Sequence, residues 1–443
     1  MEENKKYGLF TSITMIMGIV IGSGIFFKAD DVLTYTDGNV LVGIFIFCIA
    51  AIAIIFGSLS ISQLAMRTDK PGGIISYAEE FVNKETAAAF GWFQTFLYLP
   101  ATIAVVAWVA GLYICQLFNI TGDGFLNPYT IGFVVAVFIY TMNTLSAKAG
   151  GYFQNLAMII KLIPLILFAI LGLVKGDPQP ILAGDLENIK TAGIGMGIMA
   201  AFAPIAFSFD GWIVSTSIAH EIKNSKRNLP IALIVSPIFV LIVYLAYFVG
   251  VSVFVGPENV LELGNDSVGK MASILFGETG SKVVLIFVII SVVGTLNGLT
   301  LGLIRSPYSL ALRNMIPFSD KLSKENKNFN NMPLNSAIFS AIVTFIWYIV
   351  HYITQKNGMK GDVSEIAICI SYLNYCVFYV VIIKLAIKGE IKNKFMGYFV
   401  PLMAILGSLI ILSGGISNPL FIYYLIICLL FMVAGYFYYK KVK

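Results

Sequence analysis

Charged side chains are scarce in this chain of 443 residues, because Asp, Glu, Lys and Arg together make up only 12% of it. Soluble domains carry roughly 25%. Hydrophobic residues make up 58%, and a soluble chain of this size would need far more polar surface to stay dispersed. The composition therefore excludes a soluble protein and predicts an integral membrane protein.

Cysteine and histidine are also rare, with five and two residues respectively. Four of the cysteines lie inside apolar runs, namely Cys48, Cys369, Cys376 and Cys428. The sequence has no Cys-x-x-Cys pair or Cys/His cluster, and His220 and His351 are far apart. This pattern excludes a disulfide-stapled fold, and we expect neither a metal site nor a cofactor.

Long stretches without any charge recur along the chain, and a membrane-spanning helix needs about 20 apolar residues. These stretches cover 7–27, 38–68, 86–122, 124–147, 191–209, 228–257, 283–304, 328–355, 366–383 and 395–439. The last is long enough for two helices, with a turn marked by residues 413–415 and Pro419. The run 149–174 is interrupted only by Lys161. We therefore predict an all-α chain with twelve spans, numbered one to twelve in chain order.

Lys and Arg are distributed unequally between alternate loops. If the N-terminus is cytoplasmic, 20 of the 29 cations lie in cytoplasmic segments and 7 in outer segments. Cytoplasmic loops carry the excess of positive charge, so we expect a multi-pass protein of the plasma (inner) membrane with both termini inside. The net charge of +5 then reflects topology and not nucleic-acid binding. The connecting loops are too short for a soluble active site, so we do not expect an enzyme.

Few ionisable residues are predicted at membrane depth: Lys161 in span five, Asp210 in span six and Arg305 in span eight. Such a group costs at least a few kcal/mol in the membrane, so it faces the protein interior and marks function by default. Arg305 lies near the cytoplasmic end of its span, where its side chain can reach the interface. Asp210 has two interpretations, either a functional group or a structural partner of helix ends or of Lys161.

The backbone of two spans is disrupted near the middle. Span one carries Gly18, Gly22 and Gly24, and span six carries Pro204 followed by Gly211. Close packing of small residues is one explanation for span one. If spans one to five and six to ten are inverted repeats, however, the breaks occupy matching positions. Unwound backbone at membrane depth lines a cavity, and half-helix ends suit the carboxylate and ammonium groups of a zwitterion.

Several motifs resemble those of one family. They are the sequence GSGIF at 22–26, PGG at 71–73 with Tyr77, KLIP at 161–164, DGW at 210–212 and E-x-x-N-x-x-R-x-L-P at 221–230. The chain resembles the amino acid–polyamine–organocation (APC) superfamily, specifically the L-type amino acid transporter branch and its bacterial exchangers. The resemblance covers nearly the whole chain.

The resemblance implies a LeuT-type fold, a five-plus-five inverted repeat with discontinuous spans one and six and two additional helices. On that basis the chain is a single transporter domain, 1–443. Repeat one covers about 8–175, repeat two about 190–388 and the additional helices about 395–439.

The resemblance also implies site residues. Those expected to bind the substrate are Ile21, Gly22, Ser23, Gly24, Ile25, Ala206, Phe207, Ser208, Phe209, Asp210, Gly211 and Asn374. Phe207 is expected to close the site from outside. Lys161 falls where this branch places an ammonium group instead of a sodium ion, and Thr295 is expected near it.

Two departures from the family pattern concern Ser225, where many relatives have proline, and Asp210, where animal relatives have glycine. The loop 119–128 has no cysteine that could pair with an accessory glycoprotein. We therefore expect no obligatory accessory subunit, and a monomer or weak oligomer in the lipid bilayer.

The predicted function is sodium-independent exchange of small or medium neutral L-amino acids by alternating access. The alternative is proton symport, in which Lys161 releases its proton in each cycle. A channel would need a continuous polar lining or a repeated filter sequence, and an enzyme would need convergent acid–base or metal groups. The sequence shows none of these features.

Overall fold

The computed structural model describes the chain except for residues 1–6, 28, 69, 71, 122–123, 193–195, 215, 217–221, 327–331, 359–361, 419 and 443. Four residues used in the sequence analysis lie outside the described residues: Pro71, His220, Glu221 and Pro419. The side chain of Ser23 also lies outside the described part, although its backbone is described.

Within the described residues, eleven helices are long and apolar enough to cross a membrane. They correspond to span one (Leu9–Phe26), span two (Val40–Ala65), span three (Lys84–Phe118), span four (Pro128–Leu145), span five (Ala149–Lys175), span seven (Ser225–Val255), span eight (Ser267–Ala311), span nine (Leu334–Lys356), span ten (Glu365–Ile387), span eleven (Phe395–Ile416) and span twelve (Phe421–Val442).

Span six is a shorter and interrupted element. A 3-10 turn, Met196–Ala201, leads into the α-helix Phe202–Ser208, after which the backbone leaves the helical conformation. Gly211 has a φ of 91°, a value that residues with a side chain rarely adopt. Within the described residues, the twelve predicted spans therefore correspond to eleven stretches long enough to cross a membrane plus this shorter one.

Span one is broken as well. Its first half is the helix Leu9–Val20 and its second half the helix Ser23–Phe27, with Ile21 and Gly22 between them. Ile21 has an extended backbone with ψ of 98°, so the carbonyls at the end of the first half are not carried into a continuing helix. Span eight is longer than predicted because a preceding helix joins it at Gly277, whose φ is 71°.

Short helices connect the spans, namely Ala29–Tyr35, Ile74–Phe81, Pro178–Ala192, Pro257–Leu263 and Ser319–Leu322. The segment that leads into span one also contacts the segment that follows span six. Tyr7 forms a parallel bridge with Ile222, and the Lys223 N–H donates to the Tyr7 carbonyl at 2.8 Å. The chain entering span one and the chain leaving span six are therefore held side by side.

Burial separates central spans from peripheral ones. In the most apolar 18-residue window of each helix, 76% of span one is buried inside the protein, against 17% of span twelve. Span one packs directly against spans five, seven and eight. The broken span one is therefore a central element, and span twelve lies at the edge.

Candidate functional site

The two breaks contact each other. A methyl group added to Gly24 in span one would lie 2.5 Å from the Ser208 Cα in span six. A methyl group on Gly211 would lie 2.4 Å from the Ile19 Cγ2 atom. Only hydrogen at these Cα positions permits such close approach, to the backbone of Ser208 in one case and to the side chain of Ile19 in the other. The structure therefore brings together the span-one and span-six residues that the sequence analysis grouped.

Lys161 lies at the carbonyl end of the first half of span one. It is completely buried. Its Nζ donates to the Gly18 carbonyl at 2.7 Å and also to the Ile21 carbonyl. Charge-assisted hydrogen bonds of this kind compensate for removing an ammonium group from water. The lysine thus places a positive charge against the break.

Thr295 of span eight approaches carbonyls of the same segment. Its Oγ1 lies 3.3 Å from the Ile19 oxygen and 3.5 Å from the Ile21 oxygen. A methyl group on Gly22 would lie only 2.0 Å from this Oγ1, so glycine is required for span eight to come this close. Lys161 and Thr295 therefore both contact carbonyls beside the break.

Tyr244 of span seven is a residue of this site that the sequence analysis missed. Its hydroxyl lies 2.9 Å from the Val20 carbonyl oxygen and 3.0 Å from the Ser208 carbonyl oxygen. A hydroxyl has one hydrogen, so it donates to one of the two at a time and bridges the two broken spans. No sequence signal distinguishes Tyr244 among the 22 tyrosines of an aromatic-rich chain.

Every backbone carbonyl from residue 17 to 21 lies within hydrogen-bonding distance of a donor. Met17 accepts from the Ile21 N–H, and the next four carbonyls accept from side chains of three other spans, as described for Lys161, Thr295 and Tyr244. Each carbonyl oxygen has two lone pairs. The break is thus stabilised while still able to accept a further donor such as a substrate ammonium group.

Asp210 of span six pairs with a phenol. The Tyr98 hydroxyl lies 2.8 Å from both carboxylate oxygens, and both side chains are buried. Tyr98 ends a π-helical turn, Gln94–Tyr98, in span three, and such turns are frequent at functional sites. Because Lys161 binds span-one carbonyls instead, the interpretation of Asp210 as its structural partner receives no support from these contacts.

The remaining predicted residues are buried around the breaks. Ile25, Ala206 and Phe209 have no exposed surface and Phe207 has 7%. The Phe209 ring packs against Phe47 and Tyr244, with ring centroids 6.4 and 5.0 Å apart. The Phe209 side chain therefore points towards spans two and seven.

Ser208 and Asn374 contribute differently. The Ser208 hydroxyl donates to the Pro204 carbonyl of its own helix at 3.0 Å. Asn374 lies on span ten beside Tyr375, whose ring centroid is 5.8 Å from that of Trp212 in span six. Its buried Nδ2 has no hydrogen-bond partner among the described residues, so it has donors to offer to a ligand.

Comparison with known proteins decides the family. Residues 7–433 match the family model described as "Amino acid permease". This chain belongs to the amino acid permease family. The serine/threonine exchanger SteT of Bacillus subtilis (strain 168) is 31% identical over 415 residues, which are 93% of this chain and 91% of that protein. The b(0,+)-type amino acid transporter 1 of Mus musculus is 25% identical over 455 residues, covering 98% and 87%.

A solved structure shows the fold. The crystal structure of MhsT in complex with L-phenylalanine matches with a TM-score of 0.62 and 16% identity over 92% of this permease and 98% of that chain. The expected LeuT-type fold and the expected APC membership are confirmed. With its apolar helices, this permease is a multi-pass membrane protein that transports amino acids.

Proposed function

We propose that this permease exchanges small or medium neutral L-amino acids across the cell membrane without sodium, by alternating access. The observation that carries the proposal is the buried Lys161 ammonium group, 2.7 Å from the Gly18 carbonyl and also bonded to the Ile21 carbonyl. A covalently attached cation occupies this cluster of carbonyl dipoles, so no dissolved cation has to bind for the break to be stabilised.

The same feature favours exchange. A dissolved coupling ion binds and leaves in each cycle, whereas the Lys161 charge stays with the protein. The carrier without substrate therefore keeps a buried cation, and the stabilisation of this cation depends on the geometry of the break. Substrate bound at the break offsets the cost of reorganising that geometry. Movement between the two access states is then fastest with an amino acid bound on each passage.

Recognition of the amino acid rests on the two breaks. The N-terminal end of Ser23–Phe27 presents backbone N–H groups and a positive dipole end to a carboxylate. The carbonyls at residues 18–21 have lone pairs for the ammonium group. These contacts involve Ile21 to Ile25 and Ala206 to Gly211 and read only the groups that all amino acids share. Selectivity then depends on the side-chain pocket, with Phe207 as its outer gate.

The preference for neutral side chains is argued from Asp210. Its carboxylate is the acidic group nearest the break, and the Tyr98 hydroxyl already engages both of its oxygens. A cationic substrate side chain would have to displace that phenol. SteT is named a serine/threonine exchanger, so small hydroxyl-bearing amino acids are the first substrates to test, with Asn374 as an additional donor.

The alternative is proton symport. Lys161 is completely buried and its hydrogen-bond partners are uncharged carbonyls, so loss of its proton would remove a buried charge without breaking an ion pair. In that mechanism transport follows a proton gradient.

We further propose that both termini are cytoplasmic and that the repeats run over about 8–175 and 190–388.

Counterflow into proteoliposomes tests the proposal. The purified protein is reconstituted into proteoliposomes that contain unlabelled serine. Entry of labelled serine, threonine, alanine, leucine, glutamate and arginine is then measured in sodium-free buffer at two pH values. We expect internal serine to stimulate the entry of labelled serine, threonine and alanine without sodium and without an imposed proton gradient. Uptake that requires sodium, or that is unaffected by internal amino acid, contradicts exchange. Uptake that follows a proton gradient in unloaded vesicles supports the symporter.

A further inference from the structure

Three amide side chains meet in the core beside the first half of span one. They are Asn143 of span four, Gln154 of span five and Asn297 of span eight, and none of them has exposed surface. Burying a polar amide is costly unless it is hydrogen-bonded. A cluster of three such groups, away from the predicted substrate residues, therefore needs a reason.

Hydrogen bonds join the three amides in a row. Asn143 Nδ2 donates to Asn297 Oδ1 at 2.9 Å. Asn297 Nδ2 donates to Gln154 Oε1 at 2.9 Å and to the Gly150 carbonyl at 3.0 Å. Asn297 thus uses both of its N–H groups and, through the oxygen of Gln154, holds that amide in one orientation.

The nitrogen end of the Gln154 amide faces span one. A methyl group on Gly18 would lie 2.6 Å from Gln154 Nε2, and Gly18 provides the carbonyl that Lys161 binds. Gln154 precedes Lys161 by seven residues, about two helical turns, so the two side chains leave the same face of span five. Both side chains therefore lie against Gly18.

The Gln154 nitrogen is nevertheless unsatisfied. Among the residues that the structure describes, Nε2 has no hydrogen-bond partner, although it carries two N–H groups. An unsatisfied buried donor raises the free energy of a conformation relative to one in which it is bonded. The donor lies against a half-helix that the break at residues 21–22 separates from the rest of span one, so this half can change position without the other half.

We propose that Gln154 is a positioning residue of the transport cycle, whose amide N–H groups bond a backbone carbonyl of span one when that half-helix moves to its other position. Asn297 and Asn143 keep the amide aimed, and the unpaired donor favours departure from the present conformation. Gln154 thereby sets the balance between access states and the place of Gly18 in front of Lys161. This inference rests on the proposed alternating-access exchange.

Gln154→Leu tests the role because it keeps the approximate volume and removes the amide. We expect an unfolding temperature equal to or above that of the wild type, because a buried unsatisfied group is removed. Exchange should slow about tenfold, and the ratio of outer to inner KM should shift about threefold or more, because the balance of access states changes. Gln154→Met is the second variant if the leucine variant does not fold.

Tyr140→Phe is the matched control. It removes a buried bond of 2.7 Å to Thr344 between spans four and nine, remote from span one, and should leave the KM ratio unchanged. Wild-type exchange and KM ratio in the Gln154 variants overturn the inference. So does loss of folding in both variants, or activity that falls only in proportion to folded protein, because the amide is then merely structural. Absence of exchange by the wild type in the same vesicles overturns the proposed function instead.

Discussion

A few side chains bind the carbonyl groups at the end of the first half of span one in this permease. Lys161, Thr295 and Tyr244 come from three different spans and satisfy the carbonyls of residues 18–21. Broken helices normally leave such groups to water, which the membrane core does not provide. Each of these side chains therefore stabilises the break, and we propose that each also takes part in transport.

Replacing Lys161 with alanine should reduce exchange strongly while the chain still folds. Two carbonyls lose charge-assisted bonds worth about 1.5–3 kcal/mol each in general, which corresponds to at least a tenfold loss of rate if half of the combined energy of the two bonds is used in the cycle. Uptake into proteoliposomes measures the effect. Lys161→Met keeps most of the volume and separates loss of charge from loss of packing. Near-normal uptake by either variant would remove Lys161 from the mechanism.

Gly22→Ala should abolish transport through a steric clash. The added methyl group would lie 2.0 Å from Thr295 Oγ1, a separation that requires spans one and eight to move apart. Adding Thr295→Ala should restore part of the activity, because it removes the closest atom. Gly184→Ala serves as the control, since nothing lies within 4 Å of the added group. Full activity of Gly22→Ala alone would show that span eight does not close on the break.

At the scale of secondary-structure elements, single hydroxyl and carboxyl groups hold helix ends in place. Tyr244 of span seven links the two broken spans. At the start of span two, Asn39 Oδ1 accepts from the Val42 N–H at 2.9 Å, and Asp185 of the helix Pro178–Ala192 accepts from the Leu41 N–H at 3.0 Å. These side chains satisfy the free N–H groups of that helix start.

Tyr244→Phe should leave the fold intact and slow exchange several-fold. The ring still packs against Phe209, while the carbonyls of Val20 and Ser208 lose a bond worth about 0.5–1.5 kcal/mol. Initial rates and KM in proteoliposomes measure the loss. Tyr247→Phe is the control on the same span, because Tyr247 contacts Phe26 and Phe168 through its ring. Equal rates for both variants would mean that the bridge between the broken spans is dispensable.

Asp185 gives a pH dependence with a defined sign. Partial removal from water raises the pKa of its carboxyl, more than the hydrogen bonds from the Val40 and Leu41 amides lower it. A carboxyl whose pKa is raised on folding stabilises the fold fully below its unfolded pKa, and this contribution is lost as pH rises through the folded pKa. Asp185→Asn should therefore remove part of the fall in stability between acidic and neutral pH.

Thermal unfolding in detergent across this pH range measures the Asp185 effect. Glu187→Gln, at an exposed position of the same helix, is the control for removing one acidic side chain from this helix. A slope that Asp185→Asn leaves unchanged would show that this carboxyl does not contribute to it.

At the scale of the whole molecule, the loop helix Ile74–Phe81 is tied to the end of span eight. Arg313 Nε lies 2.6 Å from Glu79 Oε2, and its Nη2 donates to Ser76 Oγ at 2.8 Å. The ion pair is largely buried, with side-chain exposures of 10% and 21%. These contacts join an element between spans two and three to one between spans eight and nine, and so link the two proposed repeats.

Arg313→Ala should destabilise the fold by about 1–3 kcal/mol, because a mostly buried pair loses one partner. Arg313→Lys should recover only part of this, since lysine cannot reach both acceptors with one planar group. Lys70→Ala is the control, because its pair with Glu80 spans 3.8 Å with the lysine 59% exposed. Thermal unfolding measures all three. Equal effects of Arg313→Ala and Lys70→Ala would contradict the structural role of Arg313.

The order of the spans and the place of the breaks were readable from the sequence because hydropathy and the conformational effects of Gly and Pro act locally. Lys161 was conspicuous because charge is so rare at membrane depth. Span six was predicted as the apolar stretch 191–209 with a break near its centre. In the structure its helix ends at Ser208 and is too short to cross a membrane by itself.

Only the tertiary structure decided which side chains contact each other across the membrane core. The sequence by itself determined a membrane protein with two broken spans and one buried lysine, because those features depend on composition and on neighbouring residues. It did not determine that Tyr244 bridges the breaks, that Tyr98 engages Asp210, or that Gln154 faces Gly18. Those contacts join residues more than 30 positions apart, and only the packing of the helices brings such residues within hydrogen-bonding distance.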